Sequence, residues 1–334
     1  MKTLSVSIEN LCVPCHCGCR HCLLSSSHKA TGIDYHRGLA FAERFYGWLK
    51  ENRPEMGGTY YVGYSMDFPE LCEYVVWQKN NSGMEHLLFD GLRLRSDQEI
   101  AQLLQEIYLA GAREISLTLY GEPDYHDRFA GRKGDFAYLM RLAKLAVRQS
   151  LRVSVGIMLT RENMDQMPAL FAILENSTLS NISVILPHAK GRGEGLSHLR
   201  LTAEDYEKLS PEAKARFHRE RYRTEAEFLT QGKLPTAYAR HLTLSLTPDN
   251  IDRLESMEPA DIIRELEKLD DEYYGTLPPV EELAKLCGEP DNQQLFRFRD
   301  LILQWQCRFW SNHPIMVHNM NDERGCFSVR LYTE

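Results

Sequence analysis

Residues 113–120 read REISLTLY. Side chains alternate along an extended chain, so Ile115, Leu117 and Leu119 share one side while Ser116, Thr118 and Tyr120 share the other. A helix is expected just before this strand. Ser96 and Glu99 form a capping box, Ile100, Leu103, Leu104 and Ile107 recur at helical spacing, and Gly111 ends the run. A strand entered from an amphipathic helix is the repeating unit of a parallel sheet with helices packed outside it. The apolar face then packs on the helices. The polar face looks into a curved sheet, where such folds place ligands at the C-terminal strand ends.

Working outward, the same alternation runs from residue 3 to about 187, with strands expected at 3–10, 59–66, 85–90, 113–120, 151–158 and 181–187. Helical spacing returns in Phe136, Leu139, Met140 and Ala143, and again in Met167, Leu170, Phe171 and Leu174. On the second strand Gly63, Ser65 and Asp67 are expected to line the inside, and Asp90 to end the third. After about residue 195 the chain turns helical and charged. One strand candidate interrupts it at 240–247, where Leu242, Leu244 and Leu246 alternate with Thr243, Ser245 and Thr247 and extend the sheet. Leu301, Trp305 and Phe309 predict a buried helix within 297–313. The expectation is an α/β protein: a partial barrel core in residues 1–200, and a mainly helical C-terminal region, 201–334, that caps the substrate pocket.

The chain has 334 residues, 43% of them hydrophobic and 26% charged, which is the globular range. Its formal net charge of −8 lacks the footprint that nucleic-acid phosphate requires, so nucleic acid is not an expected partner. No stretch approaches the roughly 18 apolar residues that span a bilayer, and residues 1–10 carry no long apolar core. A cytoplasmic protein with no cleaved leader and no membrane partner is expected.

Five of the nine cysteines, Cys12, Cys15, Cys17, Cys19 and Cys22, crowd into eleven residues, too close for independent disulfide staples. Within CHCGCRHC, residues 15–22, the only CxxxCxxC triplet is Cys15, Cys19 and Cys22. Three thiolates can hold three irons of a cubane cluster and leave the fourth open to a small molecule. The same segment, with its histidines, also offers four tetrahedral ligands to a structural zinc ion. Spacing alone does not separate the two; position favours the cluster, because the loop follows the first strand of a βα series, where active sites are built. Cys12 and Cys17 fall outside the triplet and are expected to be plain thiols.

With these parts in this order, residues 1 to about 205 resemble the radical S-adenosylmethionine superfamily. GYSMDFPE at 63–70 stands where members carry a Gly-Gly-Glu-like motif for the methionine amino group, a departure that leaves Ser65 or Asp67 to serve. FDGLRLRS at 89–96 is similar to the turn after their third strand, with Asp90 and Gly91 in place. LTLYGEPDYHDRFAGRKGDF at 117–136 reproduces the order of Gly121, His126, Asp127, Arg132 and Phe136 after the fourth strand. LTREN at 159–163 and LPHAKGRG at 186–193 resemble the segments after the fifth and sixth.

The resemblance implies a partial (βα)6 TIM-like barrel of the radical SAM type. It further implies a 4Fe-4S cluster on Cys15, Cys19 and Cys22, and S-adenosylmethionine contacted by His21, Ser65, Asp67, Asp90, Thr118 and Arg132. One electron, from a donor such as flavodoxin or ferredoxin, would cleave S-adenosylmethionine to methionine and a 5′-deoxyadenosyl radical. That radical would abstract hydrogen from a small-molecule or peptide substrate. His126 and Asp127 are expected to be structural. Cys287, Cys307 and Cys326 are too widely spaced for a second cluster and are expected to be core thiols. One of these thiols, or Tyr273 or Tyr274, could instead quench a substrate radical, though nothing in the sequence selects it. The competing class is a zinc-stabilised binding or regulatory protein on a degenerate barrel.

Overall fold

Helix α3, Asp97–Ala110, begins at the Ser96–Glu99 capping box and stops at Gly111, whose φ of 118° lets the chain leave the helix. That cap is worth about 1 kcal/mol. The strand after it, β4, Glu114–Leu119, buries Ile115, Leu117 and Leu119 and leaves Ser116 and Thr118 half-buried, as alternation requires. Each buried aliphatic side chain contributes roughly 1.5–3 kcal/mol.

This computed structural model describes residues 3–175, 177–230, 234, 240–310, 318–319 and 328–331. In chain order the first part runs β1 Thr3–Asn10, α1 Tyr35–Asn52, β2 Gly57–Val62, α2 Leu71–Ser82, β3 His86–Leu88, α3 and β4. It continues α4 Pro123–Ala130, α5 Asp135–Arg148, β5 Arg152–Met158, α6 Met167–Glu175 and β6 Asn181–Ile185. Then come α7 Ala203–Glu207, α8 Pro211–Arg216, β7 Arg223–Thr224, α9 Glu225–Thr230, β8 Arg240–Leu246 and α10 Ile251–Ser256. The remainder is α11 Pro259–Gly275, α12 Val280–Cys287, β9 Leu295–Phe296, α13 Phe298–Trp310, β10 His318–Asn319 and β11 Ser328–Leu331.

The chain divides into two compact units. One comprises residues 1–12, 30–63 and 221–334. Its sheet has the order β10-β11-β8-β1-β2, with β2 and β8 both parallel to β1 and β11 parallel to β8. The strand expected at 240–247 thus does extend the sheet, pairing Leu244 with Ile8 and Ser245 with Glu9. In the same unit Leu301 and Trp305 of α13 are fully buried against Phe228, Leu283 and Phe296. Cys307, expected in the core, is exposed, because it lies about 200° around the helix from Trp305. Cys287 is half-buried, and Cys326 lies outside the described residues.

The other unit comprises residues 13–29 and 64–220. Its sheet, β3-β4-β5-β6, is parallel throughout, and α3, α4, α5 and α6 connect its strands. Met167, Leu170, Phe171 and Leu174 are all buried on α6, and Phe136, Leu139 and Ala143 on α5. The α/β class, built of parallel strands with helical crossovers in the βα order of a partial barrel, is therefore present. The second strand ends earlier than its pattern suggests. It stops at Val62 because Gly63 takes a φ of 68°, which no extended strand accommodates, so Ser65 and Asp67 sit in the following loop. Asp90 likewise stands just beyond β3.

Candidate functional site

The cysteine loop is held by its backbone. The N–H groups of His16, Gly18 and Arg20 donate to the carbonyls of Gly91, Ala130 and Phe129 at 2.9, 2.8 and 3.0 Å. The Cys17 sulfur faces those of Cys15 and Cys19, so the three thiols lie close together in the loop. The chain then turns, with Cys22 N–H donating to the Cys19 carbonyl at 3.3 Å. Before the loop, Ser65 Oγ donates to the Pro14 carbonyl at 2.8 Å. Ser65 is thereby spent on the residue that precedes Cys15.

Two of the triplet sulfurs accept backbone N–H groups: Cys15 from Cys17 at 3.4 Å, and Cys22 from Ser26 at 3.3 Å. The Cys17 thiol, together with the Cys17 N–H and the Ser26 hydroxyl, pulls Cys15 down to about 6 against the opposing effect of burial. It lowers Cys19 as well, and is itself pushed far up by the two sulfurs it faces and by burial. Both Cys15 and Cys19 are thus shifted toward the thiolate, the form that binds metal. Among the described residues no three His, Cys, Asp or Glu side chains converge as a single metal ion requires. A cubane instead takes one thiolate at each of three irons. Thiolate-favouring sulfurs with backbone N–H donors are a donor set that fits such a cluster.

His21 packs against two rings that are themselves in contact, 5.0 Å from Tyr120 and stacked 5.9 Å from Phe129. Burial pushes its pKa down to about 3, so the imidazole is neutral, and its buried Nδ1 has no hydrogen-bond partner. Asp90 accepts from Thr118 N–H at 2.9 Å and from Thr118 Oγ1 at 2.6 Å. Burial outweighs these bonds and raises Asp90 to about 7. Asp67 is clasped by the Arg95 guanidinium, accepts from Arg93 N–H at 2.7 Å and has His16 at 3.6 Å. Burial raises its pKa and these partners lower it; the partners win. A polar cavity of about 450 Å³ opens beside Asp67, Arg93 and Arg95.

Arg132 does not project freely. Its guanidinium binds Asp135 and the Leu92 carbonyl. Asp135, which the sequence reading passed over, is the centre of a buried network: it also accepts from Cys17 Sγ at 3.7 Å and from His126 Nε2 at 3.2 Å. His126 Nδ1 in turn accepts from Tyr120 N–H at 3.2 Å, which fixes its tautomer. Asp127 accepts from the N–H groups of Gly134 and Phe136 and so caps the start of α5. The i, i+3 spacing of Arg132 and Asp135 was the available signal.

The chain matches no protein-family profile. Among curated proteins, the Fe-coproporphyrin III synthase of Methanosarcina barkeri is 26% identical over 139 residues, 42% of this chain and 33% of that protein. The AdoMet-dependent heme synthase of Oleidesulfovibrio alaskensis is 23% identical over 199 residues, 58% of this chain and 48% of that protein. The chain thus spans a third to about half of the length of these relatives. Among solved structures, Streptococcus suis SuiB bound to S-adenosylmethionine gives a TM-score of 0.49 at 12% identity, covering 73% of this chain and 58% of that one. Coproporphyrinogen III oxidase from Escherichia coli, described as a radical SAM enzyme, gives 0.38 at 15% identity, covering 69% and 53%. In its cysteine loop and in these partial sequence matches, the chain resembles the radical S-adenosylmethionine enzymes.

Proposed function

We propose that the chain is an enzyme that holds a 4Fe-4S cluster on Cys15, Cys19 and Cys22 and binds S-adenosylmethionine beside it. When reduced by one electron, such a cluster cleaves S-adenosylmethionine to methionine and a 5′-deoxyadenosyl radical that takes hydrogen from substrate. The observation that carries the reading is the loop itself: three spaced cysteines, two of them, Cys15 and Cys19, shifted toward the thiolate, and backbone N–H groups aimed at Cys15 and Cys22.

The residues around the loop divide by role. His21, neutral and packed on Tyr120 and Phe129, offers a flat ring suited to adenine. Asp90 and Thr118 offer a carboxyl and a hydroxyl just beyond β3 and on β4. Ser65 and Arg132 act indirectly, the first on Pro14 and the second through Asp135 and Leu92. Asp67 is already neutralised by Arg95, so any contact it makes with the methionine amino group is shared with that guanidinium.

The substrate class is a small molecule or a peptide, and the electron donor a small redox protein such as flavodoxin or ferredoxin. The curated relatives are named for coproporphyrin and heme, which makes an iron coproporphyrin the first small molecule to offer. No helix among the described residues is long and apolar enough to cross a membrane, in keeping with a cytoplasmic site of action. Anaerobic reconstitution tests the reading: about four irons per chain and 5′-deoxyadenosine formed with reductant are expected. Stoichiometric zinc with no brown chromophore would instead favour the binding-protein reading.

A further inference from the structure

Arg192 belongs to the GRG segment, residues 191–193, that follows β6. Its backbone N–H donates to the Cys22 carbonyl at 3.0 Å. Its side chain reaches both flanks of that cysteine: Nε donates to the Cys19 carbonyl at 2.8 Å, Nη1 to the Ser26 carbonyl at 2.8 Å, and Nη2 to Ser26 Oγ at 3.1 Å. Ser26 is also the residue whose N–H donates to Cys22 Sγ. A planar guanidinium therefore grips, in one fork, the residue three before Cys22 and the residue four after it.

The approach is close. Gly191 has a φ of 58°, and a Cβ there would stand 2.5 Å from the Leu23 carbonyl and 2.6 Å from that of Cys22, so only glycine lets the segment lie against the loop. Arg192 has no carboxylate partner among the described residues; its positive charge is given over to carbonyl and hydroxyl oxygens of the loop. A surface arginine would have a carboxylate or water to choose from. This one is half-buried, and every hydrogen bond of its side chain ends on the cysteine loop.

We propose that Arg192 is the positioning residue for Cys22: by fixing the Cys19 carbonyl and the Ser26 peptide, it holds the Cys22 sulfur and its N–H donor where the cluster's third thiolate must stand. The proposal rests on the reading of this loop as a cluster site. Groups that orient a ligand rather than bind the metal typically change metal affinity 10- to 100-fold when removed. The effect acts on one corner of the cluster, so its mark is the loss of one ligand and not a general loosening of the fold.

The test uses reconstituted holoprotein of the wild type, Arg192→Lys, Arg192→Gln and Arg192→Ala. Iron loss to a chelator is followed with time, and electron paramagnetic resonance is recorded beside the thermal melt of each metal-free form. In Arg192→Gln iron is expected to leave about 10- to 100-fold faster than in the wild type, with a matching loss of the reduced four-iron cluster signal. Arg192→Lys, which keeps the charge without the fork, falls between the two, so the proposal remains open to test even if the glutamine variant folds poorly. Added guanidinium ion slows the loss in Arg192→Ala. Wild-type iron retention and spectra in both Arg192→Lys and Arg192→Gln would overturn the proposal alone. A wild type that takes up no iron would overturn it together with the functional reading on which it rests.

Discussion

Gly91→Ala tests the geometry of the loop at a single atom. Gly91 has a φ of 72°, and a Cβ built there would lie 2.5 Å from Cys15 Sγ, short of ordinary contact by about 0.9 Å. Two costs follow. A left-handed backbone penalises an L-residue by roughly 1–2 kcal/mol. The sulfur must also move, and metal–ligand distances tolerate only about 0.2 Å. Gly83 separates the two, since its φ of 67° carries the same backbone penalty with nothing within 4 Å of its Cβ. Both variants are therefore expected to melt a few degrees below the wild type in the metal-free state. Only Gly91→Ala is expected to lose iron on anaerobic reconstitution. A Gly91→Ala protein that takes up wild-type iron and keeps it against a chelator would show that Cys15 is not a ligand in the place the structure gives it.

Individual replacement of Cys15, Cys19 or Cys22 by Ser should abolish the cluster's visible absorption, whereas Cys12→Ser and Cys17→Ser should retain it. Asp135→Asn removes the acceptor shared by His126, Arg132 and Cys17, and breaking a buried pair of this kind costs roughly 3–5 kcal/mol, read as a fall in melting temperature. Burial raises the Asp135 pKa, but His126 and Arg132 hold it below the usual carboxylate range. Its stabilisation is therefore complete above the unfolded value near 4 and lost as pH falls through the folded one; Asp135→Asn should flatten that acid limb. Asp90 has the opposite sign. Raised by burial to about 7, it favours the metal-free fold fully only below about 4 and less as pH rises through 7, so Asp90→Asn should flatten the melting temperature between those values.

The parallel strands were legible because alternation is a local property: Ile115, Leu117 and Leu119 declare a buried face within seven residues. The end of the second strand was not, because GYS continues the alternation and only the backbone angle at Gly63 breaks it. In the site, cysteine spacing is likewise local and could be read directly. The partners that make those cysteines a site are distant or lack side-chain identity. Asp135 meets Cys17 across 118 residues, Arg192 meets Ser26 across 166, and the donors to the Cys15 and Cys22 sulfurs are main-chain N–H groups that any residue carries. Asp67 is partnered by Arg95, on a loop 28 residues later, a pairing that no local pattern announces.

The main-chain bonds from His16, Gly18 and Arg20 to Gly91, Ala130 and Phe129 have a consequence for assembly. Fixing one residue's backbone costs about 1–2 kcal/mol of conformational entropy. In many small metalloproteins that cost is met at the moment of metal uptake, which is why chelators unfold them. Here the loop is already ordered by carbonyls of the surrounding unit, so the ordering is met when the chain folds. On the cluster reading proposed above, stripping the iron with a chelator is therefore expected to leave the helices and sheet around the loop folded, so that uptake would be limited by delivery of iron and sulfide rather than by folding.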